Sequence, residues 1–502
     1  MNSRKLWIPD ASWVCAILTL AYCLFLTDGW RQLFRDSDTG WHIRTGERIL
    51  SSRTLPHVDP YSFSKASEPW FAWEWAADVA TAFAGSYGLA GVALLYASSI
   101  GLATWMWWQL TWAVRGDFLL GWLFAIPMLS TTNVHWLARP HIFGWLFALG
   151  AVWIVERVPE RPRFRWLVLV GLMSIVWTNV HASFFLFPVI LMIYTVGDIA
   201  GPLVFASTTP RVARVRWFVA AACVAALGTL VNPYGWRVHQ HVFAYLMNGE
   251  LIDRIAEFQS FNFHVEGAGQ ILLALGLAAA GGLLALMQGR VAQFLLVLLF
   301  LALGLRSARG LPLIGLLLLP IANGAITQAL SNPKGLREPI AHHMKAAFAY
   351  SSRLRAIDLQ LGGGALTPFV LVLLFVVART PAIQAHAGFS PAEFPVVAAS
   401  EQIAKLPVDA RILAPDKFGG YLIYRFNGER KVYFDGRSDF YGSAFMKNYI
   451  SLLEVRPNWQ DELSKYGFTH ALLPNRYSLI PALEQAGWKR IYTDEVATLL
   501  AR

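Results

Sequence analysis

Cysteine is scarce in this chain: three in 502 residues, Cys15, Cys23 and Cys223, all inside apolar runs. That excludes a disulfide framework and a cysteine-based metal site, and leaves the thiols as small hydrophobes. Internal repeats and low-complexity segments are missing too. A carrier built from two repeated halves with interrupted helices would carry such a repeat. Among His42, His135, His141, His181, His239 and His241, no close ligand spacing on one helix occurs except "HQH" at His239 and His241, so zinc has little support. The formal net charge of +10 invites a nucleic-acid reading, but the basic residues are scattered through loops and form no patch, so no nucleic acid is expected.

What the chain has is apolar length. Hydrophobic residues make up 56% of it, with 21 tryptophans, above the ~45–50% of soluble domains. Apolar runs near 11–30, 89–112, 117–131, 142–156, 165–180, 183–199, 217–231, 268–288, 291–305, 310–328 and 364–379 predict about eleven crossings of a membrane. Arg4 and Lys5 precede the first run as in a signal peptide. No small-residue cleavage site follows, so an uncleaved first helix is expected.

Charge asymmetry orients the bundle. With the N-terminus inside, the inner segments hold sixteen basic residues: Arg4, Lys5, Arg115, Arg157, Arg161, Arg163, Arg165, Arg211, Arg214, Arg216, Arg290, Lys334, Arg337, Lys345, Arg353 and Arg355. The short outer loops hold five: Arg139, Arg237, Arg254, Arg306 and Arg309. Alternate loops obey the positive-inside rule. Lys334 to Gln360 reads as an amphipathic helix on the inner leaflet. An odd number of crossings puts residues 381–502 outside, as a small α/β domain after a membrane domain spanning 1–380. Its helical patterns are "FPVVAASEQIAKL", "DELSKYG" and "SLIPALEQAG"; its β-rich runs are "ARILAP", "YLIYRF", "KVYFDG", "THALLP" and "WKRIYTD". Without cysteine, this tail must be held by its core alone.

The first outer loop, about 29–88, carries Asp36, Asp38, Asp59, Glu68, Glu74 and Asp78, and the aromatic stretch "PWFAWEWAAD", which suits a segment lying on lipid. Other outer ends are polar as well: "NVHWLARPH", "TNVHAS", "NPYGWRVHQH", "EFQSFNFH" and "RSARG". Ionisable groups near membrane depth are costly and face cavities, so these ends predict one shared outward cavity. Its expected wall includes His42, Glu74, His135, His141, Asn179, His181, Asn232, Tyr234 and Glu257.

An acidic Asp-x-Asp after the first helix, followed by "GWHIRTGERIL", "PHVDPYSF" and "WFAWEW", resembles the bacterial multispanning glycosyltransferases of the C superfamily. These are distant relatives of protein O-mannosyltransferases and aminoarabinose transferases. "ARPHIF", "WTNVHASF", "NPYGW" and "GGYLIYRFNGERKVYFDGRSDFYG" resemble a subgroup with a soluble C-terminal domain. The resemblance implies inverting transfer of a sugar from a polyprenyl-phosphate donor to a glycan, lipid or protein acceptor outside the bacterial inner membrane. Such chemistry needs a base for the acceptor hydroxyl and a partner for the leaving phosphate. Asp36 or Asp38 is the candidate base; the alternative is that Asp38 caps the helix around 41–50. Arg139, Arg306, Arg309 and Arg237 are candidates for the phosphate because guanidinium offers a bidentate fork; the alternative is snorkelling to headgroups. If a divalent metal takes part, Asp36 and Asp38 would suit magnesium or manganese. The histidines are expected to donate hydrogen bonds. Asp435, Arg437 and Asp439 are expected to form a salt-bridged turn, with an acceptor-binding or lid role as the alternative. Competing functions are a transporter or flippase for a lipid-linked glycan, and a non-catalytic cell-envelope scaffold.

Overall fold

The computed structural model describes residues 5–206, 208–331 and 337–502. Arg4 and Lys334, two of the charges expected on the inner side, lie outside the described residues. The chain opens with α1 (Ala11–Phe25), and the long loop after it folds into α2 (Asp38–Ser52) and α3 (Trp75–Gly85). The bundle continues with α4 (Leu89–Ala113), α5 (Phe118–Asn133), α6 (His141–Arg157), α7 (Phe164–Val180), α8 (Leu186–Val204) and α9 (Val212–Gly228). Helices Ala268–Met287, Val291–Arg306, Ala308–Ser331 and Thr367–Ala378 complete it.

Each expected apolar range is helical, because a chain without water to bond must satisfy its backbone internally. Among the described residues, four helices are long and apolar enough to cross a membrane: Leu89–Ala113, Ala182–Val204, Ala268–Met287 and Ala308–Ser331. The helices are apolar on both faces. Trp107, Trp108, Val152, Phe187 and Leu296 are buried between helices, whereas Leu102, Leu123, Leu172, Leu283 and Val372 point outward. A bundle whose outer surface is as greasy as its core is a membrane bundle.

The segment expected to form an amphipathic helix spans Glu338–Asp358 and is fastened to its neighbours. Asp358 accepts from the Ala11 amide at 2.7 Å, Ser351 from the Leu119 amide at 3.1 Å, and the Arg355 guanidinium lies 3.5 Å from the Trp112 ring centre.

The tail holds a four-stranded sheet in the order β1 (Ile412–Leu413), β2 (His470–Pro474), β4 (Ala497–Ala501), β3 (Lys489–Thr493). β1 and β2 are parallel and the other pairs antiparallel, with Leu472 opposite Leu499. Two expected strands are absent as such. "YLIYRF" lies in the helix Asp416–Arg425, and "KVYFDG" makes only an isolated bridge, Val432 to Ser62. The helix wins over local β propensity because it packs on α2: a Cβ at Gly40 would stand 2.5 Å from the Gly420 carbonyl oxygen. The helix Ser438–Leu453 and the strand β4 were not anticipated.

The tail does not rest on a core of its own alone. One apolar core runs from Leu24, Trp107 and Phe300 in the bundle to Phe394, Phe418 and Val432 in the tail. A second gathers Tyr433, Phe434, Tyr449, Leu473, Leu479 and Leu500. The half of the tail nearest the first loop is therefore seated on the bundle, and this seat forms one side of the site.

Candidate functional site

The acidic step after α1 leads directly into α2. Asp36 Oδ1 accepts from the Asp38 amide at 2.9 Å, so Asp36 steadies the turn that opens the helix. Asp38 is the first helical residue, not the cap expected for a helix starting near 41, and its carboxylate is turned away from the backbone. It meets Arg139, which comes from the turn between α5 and α6. Arg139 Nη2 lies 2.9 Å from Asp38 Oδ2, and Nη1 lies 2.6 Å from Asp36 Oδ2 and 2.9 Å from Glu257 Oε1. Glu257 in turn accepts from Arg309 Nε at 2.6 Å. The result is a continuous line of charge: two aspartates, Arg139, Glu257, Arg309.

Burial and the neighbouring arginines act oppositely on two of these acids. Burial first, then the charge of Asp36, pushes Asp38 up to about 8 against the pull of Arg139. Glu257 goes the other way. Burial opposes its charge, but Arg139 and Arg309 together hold it well below the carboxylate range.

This line of charge borders a cavity of about 580 Å³. Asp38, His42, Glu74, His135, Arg139, His141, His181, Glu257, Arg306 and Arg309 line it. His42 Nδ1 is 2.6 Å from Asp78 Oδ1, and burial lowers the imidazole and raises the carboxyl, favouring the neutral form of each. Glu74, 3.6 Å from His181 Nε2, is pushed up to about 8 by burial. His141 Nε2 lies 2.8 Å from the His135 carbonyl oxygen. The histidines here make hydrogen bonds with protein groups.

Five of the sequence candidates lie off this lining: Asp36, at the turn before α2, and Asn179, Asn232, Tyr234 and Arg237. Asn179 accepts from Trp75 Nε1 at 2.8 Å, and Tyr234 stacks on Phe71 with ring centres 4.0 Å apart. Both support the cavity wall from behind. Asn232 bonds within its own turn, to the Thr229 carbonyl at 2.8 Å and the Tyr234 amide at 2.8 Å. Arg237 is exposed at the start of the helix Arg237–Met247.

A divalent metal does not fit the aspartates as they stand. The Arg139 guanidinium occupies the position between Asp36 and Asp38 that a cation would take. Among the described residues, no group of three or more His, Cys, Asp or Glu could hold an ion. The "HQH" pair is split, with His239 on Thr229 at 2.8 Å and His241 on Asp439 at 2.8 Å.

The aromatic stretch of the first loop serves the cavity instead of lipid. Trp70 is buried, Phe71 stacks on His241 as well as Tyr234, and Trp41, Trp70, Phe71 and Trp73 line the cavity. The reason is the tail, whose turn covers them. Arg437 bonds Asp435 through Nε and Nη2 at 2.8 Å each, reaches Asp59 at 2.8 Å, and lies 4.7 Å from the Trp70 ring centre. Asp439 pairs with His241 and not with Arg437, which corrects the expected three-residue turn. Gly436, Arg437, Ser438 and Asp439 all line the cavity. A Cβ at Gly436 would overlap Asp38 Oδ1, so any larger residue there must displace that carboxylate. "FDGRSD" carried a signal as an unusual turn; its position opposite Asp38 did not.

No protein-family model matches the sequence, and no curated protein does. Solved structures do match the fold. The Archaeoglobus fulgidus oligosaccharyltransferase, tethered to an acceptor peptide containing the NVT sequon, aligns with a TM-score of 0.55 at 12% identity over 92% of this chain and 68% of that one. ArnT from Cupriavidus metallidurans, bound to undecaprenyl phosphate, aligns with a TM-score of 0.51 at 14% identity over 98% of this chain and 97% of that one. The chain is a helical membrane protein with the fold of the C-superfamily glycosyltransferases.

Proposed function

We propose that this protein transfers a sugar, with inversion, from a polyprenyl-phosphate donor to an acceptor on the outer side of the bacterial inner membrane. The observation that carries this reading is the contact of Asp38 with Arg139, 2.9 Å apart on the wall of a cavity that also holds Arg306 and Arg309. The undecaprenyl phosphate bound in the similarly folded ArnT supports the donor class.

In the proposed step the acceptor hydroxyl oxygen attacks the anomeric carbon from the face opposite the phosphate. The bond from that carbon to the phosphate oxygen breaks, and its electron pair leaves with the lipid phosphate. The hydroxyl proton passes to Asp38, whose raised pKa makes its ionised form a stronger base than a solvated carboxylate. Arg309 and Arg306 meet the charge that develops on the phosphate. Glu257 keeps Arg139 and Arg309 aimed into the cavity until the donor arrives. The aromatic wall of Trp41, Trp70 and Trp73 offers flat apolar faces to a sugar ring. Residues 381–502 form the outer unit that closes the acceptor side. No step is assigned to a metal.

The test supplies labelled lipid-linked sugar to proteoliposomes and measures both new glycosidic bond and label crossing the bilayer. Transfer that depends on Asp38 is expected. Label crossing without a new bond would make the carrier the better account, and unaltered phenotype on mutating the first loop would favour the scaffold.

A further inference from the structure

At the end of the bundle opposite the acidic cavity, a second crevice of about 420 Å³ opens among the ends of α4, α6, α8 and α9 and the turn before the helix Val291–Arg306. Helix α6 fixes the relation: His141 at its start faces the first cavity and Glu156 near its end faces this one. Arg115, Arg211, Arg214 and Arg290 line the crevice against two carboxylates, Glu156 and Asp198.

Those carboxylates are already engaged. Glu156 accepts from the Tyr194 hydroxyl and from Gln293 Nε2 at 2.9 Å. Asp198 lies 3.3 Å from Arg214 Nε, while Arg214 Nη2 donates to the Val155 carbonyl at 3.0 Å and Arg290 donates to Gln328. Among the described residues, Arg115 and Arg211 have no ion-pair partner, so the crevice keeps an excess of positive charge.

Two neutral acceptors are also left over. Gln293 is 6% exposed, and its Oε1 is buried without a partner, as is Gln288 Oε1. Neither amide is free to turn over, since Gln293 Nε2 is held by Glu156 and Gln288 Nε2 by the Ala325 carbonyl at 2.8 Å. Buried polar atoms in folded proteins are nearly always paired. A group that satisfies both features carries negative charge for the arginines and hydroxyl donors for the amide oxygens.

We propose that this crevice binds a glycerophosphate group, with its phosphate on Arg115 and Arg211 and its hydroxyls on Gln288 and Gln293. A basic pocket between helix ends on the inner side of a membrane suits an anionic lipid headgroup. Free glycerol phosphate offers the same chemistry, and the experiment separates the two sources. The site is independent of the transfer reaction proposed above.

The full chain, purified in detergent and stripped of lipid, is titrated with phosphatidylglycerol, phosphatidylcholine, phosphatidic acid and glycerol 3-phosphate. Native mass spectrometry reads the lipids and calorimetry the soluble phosphate. Phosphatidylglycerol is expected to bind at least about tenfold more tightly than phosphatidylcholine. Arg115→Gln with Arg211→Gln should weaken it roughly thirtyfold, about fivefold for each arginine. Arg161→Gln with Arg163→Gln removes the same charge from an exposed inner loop and should leave binding unchanged. Gln293→Leu should erase the preference for phosphatidylglycerol over phosphatidic acid, which lacks the headgroup hydroxyls. Glycerol 3-phosphate binding that is lost in the Arg115 and Arg211 variant, with phosphatidylglycerol no better than phosphatidylcholine, would assign the same site to the soluble source. Equal binding of phosphatidylglycerol and phosphatidylcholine without glycerol 3-phosphate binding overturns the proposal. So does equal weakening by the Arg161 and Arg163 pair.

Discussion

Arg139 Nη1 donates to Asp36 Oδ2 at 2.6 Å across 103 positions of sequence. The same guanidinium reaches Asp38 through its other terminal nitrogen, so one arginine joins the loop before α2 to the turn between α5 and α6. The two carboxylates are thereby made unequal. Asp36 steadies the turn outside the cavity lining, and Asp38 is buried on the wall itself.

That inequality predicts a split between the two asparagine variants. Asp38→Asn keeps size and removes the proton acceptor, so transfer should fall by about 10²–10⁴-fold, the usual worth of a general base. Asp36→Asn should retain far more activity. Rates from labelled lipid-linked sugar decide it, and a fully active Asp38→Asn protein would remove Asp38 from the chemistry.

The pH profile follows from the raised pKa of Asp38. A base with a pKa of about 8 is largely protonated at neutral pH, so the rate should climb with pH and level off above about 8. Asp36 is one cause of the upward shift, and Asp36→Asn should therefore move the rising limb to lower pH. A limb that stays in place would mean that another group titrates.

Arginine geometry predicts the order of the Arg139 variants. Lysine keeps the charge but cannot bridge Asp36, Asp38 and Glu257 at once, so Arg139→Lys should transfer poorly yet better than Arg139→Ala. Alanine leaves buried carboxylates without their cation, which costs about 3–5 kcal/mol when a buried pair is broken. Thermal unfolding in detergent should rank wild type, lysine and alanine in falling order.

Gly436 tests the seat of the tail. Gly436→Ala would drive a methyl group into Asp38 Oδ1 and should abolish most transfer while the protein stays monodisperse. Gly276→Ala, on a helix face with nothing within 4 Å, is the control and should be neutral. Equal activity in both variants would detach the tail from the site.

Sidedness is checked on intact spheroplasts. External protease should cut only within residues 29–88 or 381–502 and spare the Glu338–Asp358 helix. Cleavage near Arg353 in sealed cells would reverse the proposed topology.

Much of this protein was legible before folding was considered. The apolar runs mark the helices because hydrocarbon leaves a backbone no other way to bond itself, a constraint that needs only composition and length. Polar helix ends on one side pointed to a shared cavity for a similar reason, and His42, Glu74, His135, His141, His181, Glu257, Arg306 and Arg309 are on its wall. Local preference failed where packing outweighed it. "YLIYRF" has the residues of a strand but is helical, since Gly419 and Gly420 let that helix press against α2 and the Phe434 carbonyl.

The sequence alone therefore determined the apolar helical bundle, the presence of an acidic loop after the first helix and the residues available to a site. Tertiary structure decided which of them meet. Arg139 among three carboxylates, Asp38 beneath Gly436, and Trp70 beneath Arg437 are contacts between segments far apart in the chain. Such contacts depend on burial and distance, and the proton affinity of Asp38 depends on both, so neither is written in the order of residues around "DSD".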